Sequence, residues 1–427
     1  MKFDAQNLDF SKEFYSDVCI IGSGPAGISL ASEFLNSGIK VNVLESGGEA
    51  HHISAQKLSE GTLSGEVYEA QESTHLRQIG GTANHLILKM TDKQYGYRYA
   101  PMDALDFEKR AEIPHSGWPI TKAELEPYYA RAQAICEIGP YNYSADFWAR
   151  GALQPMPLPA DKVRSSVFMF GPTRKFTVDI PMQISQSNDV DIYGHATVVE
   201  LICAEDGKTV ETAVVRLFNG KELLFKAKHF IIACNALQTP RLLLNSRSSP
   251  HHQNGIGNQH DNVGRYYMDH NLVPSGNFYP HDPKYINQMG FYDMQGIDGA
   301  SVLGRIHLPE DVVRKEGLRN FVAMLFPMSW NQNDLDAMYS LNELKQHLRW
   351  NWKHYPKDLF KHLKNIIRGR NRLFRAVYDR VRYGIPVLLS LGNGGWSRSS
   401  DNHKKYNRLE LLALVEQTPN PDNRVTL

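Results

Sequence analysis

At 427 residues the chain is too long for one ordinary core, so two intertwined or successive domains are expected. Its 47 Lys and Arg balance 46 Asp and Glu, a formal net charge of +1 that argues against general nucleic-acid binding. No run reaches the roughly 18 apolar residues of a membrane span, and MKFDAQNLDFSKEFYSD carries neither an apolar export core nor twin arginines, so a cytoplasmic protein is expected.

A buried strand over residues 18–21 runs into Gly22-Ser23-Gly24-Pro25-Ala26-Gly27. A helix to about residue 37 and a second strand, 40–44, follow, ending in Glu45 and Ser46. This is the form of a dinucleotide site. Gly22 allows a tight turn, Gly24 lets backbone approach a pyrophosphate, and Gly27 lets the helix pack closely on the strand. The ligand's charge meets the free N–H groups of the helix N-terminus, and Glu45 is placed to accept a ribose hydroxyl. The motif leaves FAD and nicotinamide cofactors both open. A nicotinamide-dependent reductase and a non-catalytic cofactor-binding or scaffold protein therefore stand as alternatives.

The stretch 75–85 pairs Gly80 and Gly81 before Thr82, Ala83, Asn84 and His85, a pattern that suits backbone passing close to a ligand or a plain surface loop. Residues 99–139 read as helix and loop, with Thr121 and Glu124 at the spacing of a capping box. Residues 140–185 are rich in Pro, Gly and aromatics, with residues 170–174 a loop candidate. Strands are expected at 191–193, 196–203, 212–218 and 221–227, with turns at Asp206-Gly207 and Asn219-Gly220. An apolar strand at 229–234 and a helix through Leu237, Leu242 and Leu243 imply a return to a parallel sheet.

Strand-like segments near 271–279, 300–307, 319–327 and 408–417 suggest an antiparallel sheet in a second domain, with helices over 335–383. The helical insert is basic: Lys345, Arg349, Lys353, Lys357 and Lys361 recur every four residues, and seven more Lys and Arg follow to Arg382. Only Asp358 and Asp379 oppose them. A solvated helix face is the simpler reading. The sharper one is peripheral membrane contact through 345–382, with Trp350, Trp352 and Phe360 at an anionic lipid interface. The four cysteines (Cys19, Cys136, Cys203, Cys234) lack metal or redox spacing, so reduced thiols and no metal site are expected.

Several of these segments together resemble the glucose-methanol-choline (GMC) oxidoreductase family over most of the chain. They are GSGPAG with ESGG, the Gly80-Gly81 segment, SGWPI with LEPYY, and IIACNALQTPRLLL followed by NVGRYYMDH. The bacterial sugar- and alcohol-dehydrogenase-like branch is the most similar. The resemblance implies FAD, and an α/β fold pairing an FAD-binding Rossmann-like parallel sheet with a domain of antiparallel sheet plus helices. The implied FAD domain covers 1–110 and 186–270, the substrate domain 111–185 and 271–417, and 418–427 begins a C-terminal FAD and catalytic segment.

The implied reaction oxidises the CH–OH group of an alcohol, on a sugar or polyol, by hydride transfer to flavin N5. Oxygen, a quinone or a cytochrome is the acceptor. The implied cofactor contacts are Gly22, Gly24, Pro25, Ala26, Gly27, Glu45, Ser46, Gly80, Gly81, Thr82, Asn84, His85, Val198 and Ala233. Val198 matches the family's adenine contact, and His85, in GG-x-x-x-H, matches the histidine that bonds covalently to flavin in some relatives. Asn235 departs from the glycine usual there, which puts close approach of that turn to the cofactor in doubt. The family's catalytic histidine and its His or Asn partner are expected beyond Leu427, making this an incomplete form that binds FAD weakly and turns over poorly. His75, His115 and His270 read as structural or solvated loop residues, and no catalytic base is assigned.

Overall fold

The computed structural model describes residues 1–9, 12–65, 74–85, 88–89, 95–328, 332–350, 358–383 and 394–427. In chain order the first strands are β1 (Lys2–Asp4), β2 (Phe14–Ile21), β3 (Val41–Leu44), β4 (Leu88–Lys89), β5 (Tyr95–Tyr99), β6 (Arg164–Pro172), β7 (Val190–Gly194) and β8 (Thr197–Cys203). There follow β9 (Val210–Arg216), β10 (Glu222–Ile232), β11 (Asn271–Phe278), β12 (Met294–Ile297), β13 (Ala300–His307), β14 (Phe321–Met328) and β15 (Arg408–Val415). The principal helices are α1 (Pro25–Glu33), α2 (Lys122–Ile135), α3 (Asn235–Asn245), α4 (Gln332–Trp350), α5 (Leu359–Arg368) and α6 (Arg370–Tyr383).

One compact unit comprises Met1–Ile87, Thr173–Met268 and Pro419–Leu427. Its sheet runs β1-β7-β3-β2-β10-β9-β8, parallel from β1 to β10 and antiparallel beyond. Val18, Ile20, Val41 and Val43 are buried, as parallel strands covered on both faces require. Leu44, Tyr193, Leu201, Val215, Phe225 and Leu242 extend this core. The Asn219-Gly220 turn joins β9 to β10 as its sequence predicts, Gly220 taking φ +81 and the Leu217 amide donating to the Lys221 carbonyl at 2.9 Å. The two strands expected at 221–227 and 229–234 are one. β10 pairs with β9 through Lys226 and with β2 from Phe225 to Ile232, because no Gly or Pro interrupts it.

The other unit comprises Leu88–Pro172 and Asp269–Thr418. Its antiparallel sheet runs β11-β15-β14-β13-β6-β5-β4, with β12 beside β13. The expected loop at 170–174 is corrected: Phe170, Gly171 and Pro172 end β6, a central strand. Val167, Phe168, Met169 and Phe170 are all buried, so the strand reads as a continuous apolar run without alternation. Thr121 and Glu124 form the capping box at the start of α2.

These units part at 87/88 and 172/173, where the sequence suggested 110 and 186. Residues 95–99 follow the second sheet because β5 pairs with β6. The helix Ile180–Gln186 packs on α1, with Ile180 and Ile184 buried.

In the second unit α4 packs on α5 and α6 through small residues. Ala337 and Ala376 are buried, a Cβ at Gly369 would lie 2.3 Å from that of Ala337, and the Asn365 amide donates to Ser340 Oγ at 3.1 Å. Trp352, Lys353 and Lys357 lie outside the described residues. Among those described, no helix is long and apolar enough to cross a membrane, and no His, Cys, Asp and Glu cluster could hold a metal ion.

Candidate functional site

β2 ends in a turn whose three glycines do different work. Gly22 sits at φ +102, and a Cβ there would meet the Ala233 carbonyl oxygen at 2.5 Å. At Gly27 a Cβ would meet the Gly22 carbonyl oxygen at 2.0 Å, so α1 can lie against the turn only as glycine. Gly24 caps α1 ahead of Pro25, and a Cβ there would project into open space. The first helical bond runs from the Ile28 amide to the Gly24 carbonyl at 2.9 Å. The amides before it have no intrahelical acceptor and suit an anion.

A second loop is locked onto the first. The Gly80 amide donates to the Ser23 carbonyl at 2.9 Å and the Ile79 amide to the Gly48 carbonyl at 3.0 Å. Gly81, at φ +54, lies so near that its Cβ would be 2.8 Å from the Gly24 Cα. The Asn84 amide donates to the Ile79 and Gly81 carbonyls at 3.0 and 2.9 Å, which closes this loop on itself.

These loops border a cavity of about 470 Å³. Of the sequence-derived contacts, Gly22, Gly24, Pro25, Ala26, Glu45, Ser46, Gly81, Thr82, Val198 and Ala233 line it. Gly27, Gly80, Asn84 and His85 do not; the first three shape the loops behind the lining. Glu45 is buried. One of its carboxylate oxygens accepts the Ser23 amide and hydroxyl at 3.0 and 2.7 Å, the other the Gly47 amide at 2.9 Å. It therefore ties two rim turns together.

His75, Arg77, Gln238 and Arg241 also line the cavity, although sequence reading did not single them out as contacts. Arg77 donates to the hydroxyls of Ser59 (2.7 Å) and Ser46 (2.9 Å) and to the Gln238 side chain (2.7 Å). Burial lowers its pKa, and the charge of Glu45 opposes that. Gln238 and Arg241 stand three apart on α3, a helical-face spacing that could have paired them; Arg77 carried no such signal. Burial first, then Arg77 and His85, pushes the His75 imidazole down to about 4, so it is neutral at pH 7. His115 and His270 are exposed and lie outside this cavity.

Asn235 adopts φ +64, the left-handed backbone that glycine would supply. Its side-chain oxygen accepts the Leu237 and Gln238 amides at 2.9 and 3.0 Å and opens α3. The departure from glycine thus preserves the turn. Burial pushes the Cys234 thiol up to about 12, and its Sγ donates to the Ile21 carbonyl at 3.1 Å.

A family model described as an FAD binding domain matches residues 15–64, which take in β2 from its second residue, the glycine turn, α1, β3 and Glu45. The chain is 27% identical over 309 residues to a 6'''-hydroxyparomomycin C oxidase of Streptomyces lividus, covering 58% of this chain and 53% of that protein. It is 24% identical over 322 residues to a 2-methyl-1,2-propanediol dehydrogenase of Mycolicibacterium austroafricanum, covering 60% and 55%. The chain thus spans about half the length of the curated relatives it matches. A formate oxidase structure aligns at a TM-score of 0.43 and 16% identity, over 94% of this chain and 73% of that one. The FAD-binding match falls on the turns that border the cavity, and the chain is similar to proteins named as an oxidase and a dehydrogenase; residues 15–64 belong to an FAD-binding domain.

Proposed function

We propose that the chain binds FAD in the cavity beside α1 and serves a GMC-type enzyme that oxidises the CH–OH group of a sugar or polyol. The observation that carries the reading is the open backbone at Gly24, set at a helix N-terminus between the Gly22 and Gly81 turns. When bound, FAD supplies a two-electron acceptor that takes hydride at N5. Bound FAD would place its pyrophosphate at Gly24, Pro25, Ala26 and Thr82, with Glu45 and Ser46 available to the ribose and Val198 and Ala233 to adenine. Arg77 and Arg241 add positive charge to the same lining. The two sequence relatives are named for a hydroxyparomomycin and a propanediol, which supports a hydroxylated small molecule as substrate.

The reading extends to His85 as the residue that attaches flavin covalently, by family resemblance. The full chain, purified and titrated with FAD, is expected to bind it saturably, read from the change in flavin absorbance at about 450 nm. Binding of a nicotinamide cofactor without FAD would overturn the assignment. Yellow colour kept in acid-precipitated holoprotein supports the His85 bond; a colourless precipitate removes it.

A further inference from the structure

Helices α5 and α6 leave several large apolar residues exposed, while small residues are buried where they pack on α4. Gly369 meets Ala337, Asn365 bonds Ser340, and Ala376 is buried. On α5, Phe360 is 86% exposed and Ile367 62%, with Leu363 between them. On α6, Phe374 is 75% and Val381 83% exposed, with Val377 and Tyr378 between them. Residues 360, 363 and 367, and 374, 377, 378 and 381, keep the spacing that ordinarily turns one helix face to a core. Solvation of a charged helix accounts for the lysines and arginines of this segment but leaves these stripes unexplained.

The charge beside the stripes selects the occupant. Eight Lys and Arg stand between residues 358 and 383, against Asp358 and Asp379. Lys361, Lys364, Arg368, Arg375 and Arg382 are exposed on the same two helices. A second copy docked face to face would set cations against cations. A neutral apolar groove would use the stripes and leave the cations idle. A phospholipid surface uses both: long basic side chains reach the phosphates while apolar residues sink beneath them. No described helix is suited to spanning a membrane, so the contact lies in the plane of the interface.

We propose that α5 and α6 form a docking face for an anionic phospholipid bilayer, their apolar stripes entering the headgroup boundary. The test uses the purified full chain with vesicles of phosphatidylcholine, either pure or carrying about one third phosphatidylglycerol. Roughly tenfold more protein is expected to sediment with the anionic vesicles, falling as salt is raised. Phe374→Trp emission should shift to the blue on those vesicles. Phe360→Ser with Phe374→Ser should lose binding at unchanged circular dichroism and melting temperature, because both positions are exposed. Equal sedimentation with both vesicle types, or an unmoved Phe374→Trp spectrum, overturns the proposal. So does a lipid-free dimer in sedimentation velocity that the double variant abolishes, because the face then belongs to a second copy.

Discussion

Asn235 holds a backbone angle that most side chains resist, φ +64, and spends its side chain on two helix amides. Those two roles separate by substitution. Asn235→Gly keeps the angle and loses the cap, a cost of a few tenths of a kcal/mol. Asn235→Ala loses both and should cost about 1–2 kcal/mol. Urea unfolding of the two variants gives the order, and an alanine no worse than the glycine refutes the account. His75 offers a pH test. Its pKa of about 4 in the folded chain lies below the ordinary value near 6.5, so between the two the unfolded chain binds the proton and the folded chain does not. Stability is therefore lost as pH falls from about 6.5 toward 4, by about 1–2 kcal/mol after solvent screening. His75→Gln should flatten that slope, read from urea midpoints at about pH 5 and pH 7.5.

The glycine turn shows how much of an element can be read before its partners are known. Spacing alone assigned Gly22, Gly24 and Gly27 their separate tasks; the contacts a Cβ would make agree at Gly22 and Gly27 and leave Gly24 facing open space. Gly24→Val should leave folding within about 0.5 kcal/mol of the parent and weaken FAD by tenfold or more, on the order of 1.4 kcal/mol, because the added atoms occupy open space. Gly27→Ala should instead destabilise the fold by about 1–3 kcal/mol, because its methyl meets backbone. FAD titration by fluorescence and urea unfolding distinguish the pair; equal behaviour would show that the two positions share one task. The hairpin at Asn219-Gly220 was equally legible, since its geometry is local. β6 was not, because a strand buried on both faces shows no alternation. Arg77 meets Gln238 only through the fold, a contact no short motif encodes.

Each unit is assembled from separated stretches of chain around its own sheet. The fold class was legible because parallel and antiparallel patterns differ in their apolar rhythm. The boundaries were not, since β5 assigns residues 95–99 to the second sheet by pairing with β6, a strand that lies beyond α2 in the chain. Two cores predict a departure from two-state unfolding: the calorimetric enthalpy should exceed the van't Hoff enthalpy. Added FAD should raise the transition of the unit that holds the glycine turn and leave the other in place, by mass action on that unit alone. A single transition moved as a whole by FAD would contradict this.

The register of β10 also sets a schedule for synthesis. Val18 of β2 lies opposite His229, so β2 leaves the ribosome long before one of its neighbours has been made. The local hairpin at Asn219-Gly220 forms β10 against β9 as soon as both emerge and presents a ready edge to the waiting strand. Until then the apolar Val18–Ile21 stretch lacks its β10 neighbour, and slowing translation just before β10 should lengthen its exposure and raise aggregation of the nascent chain.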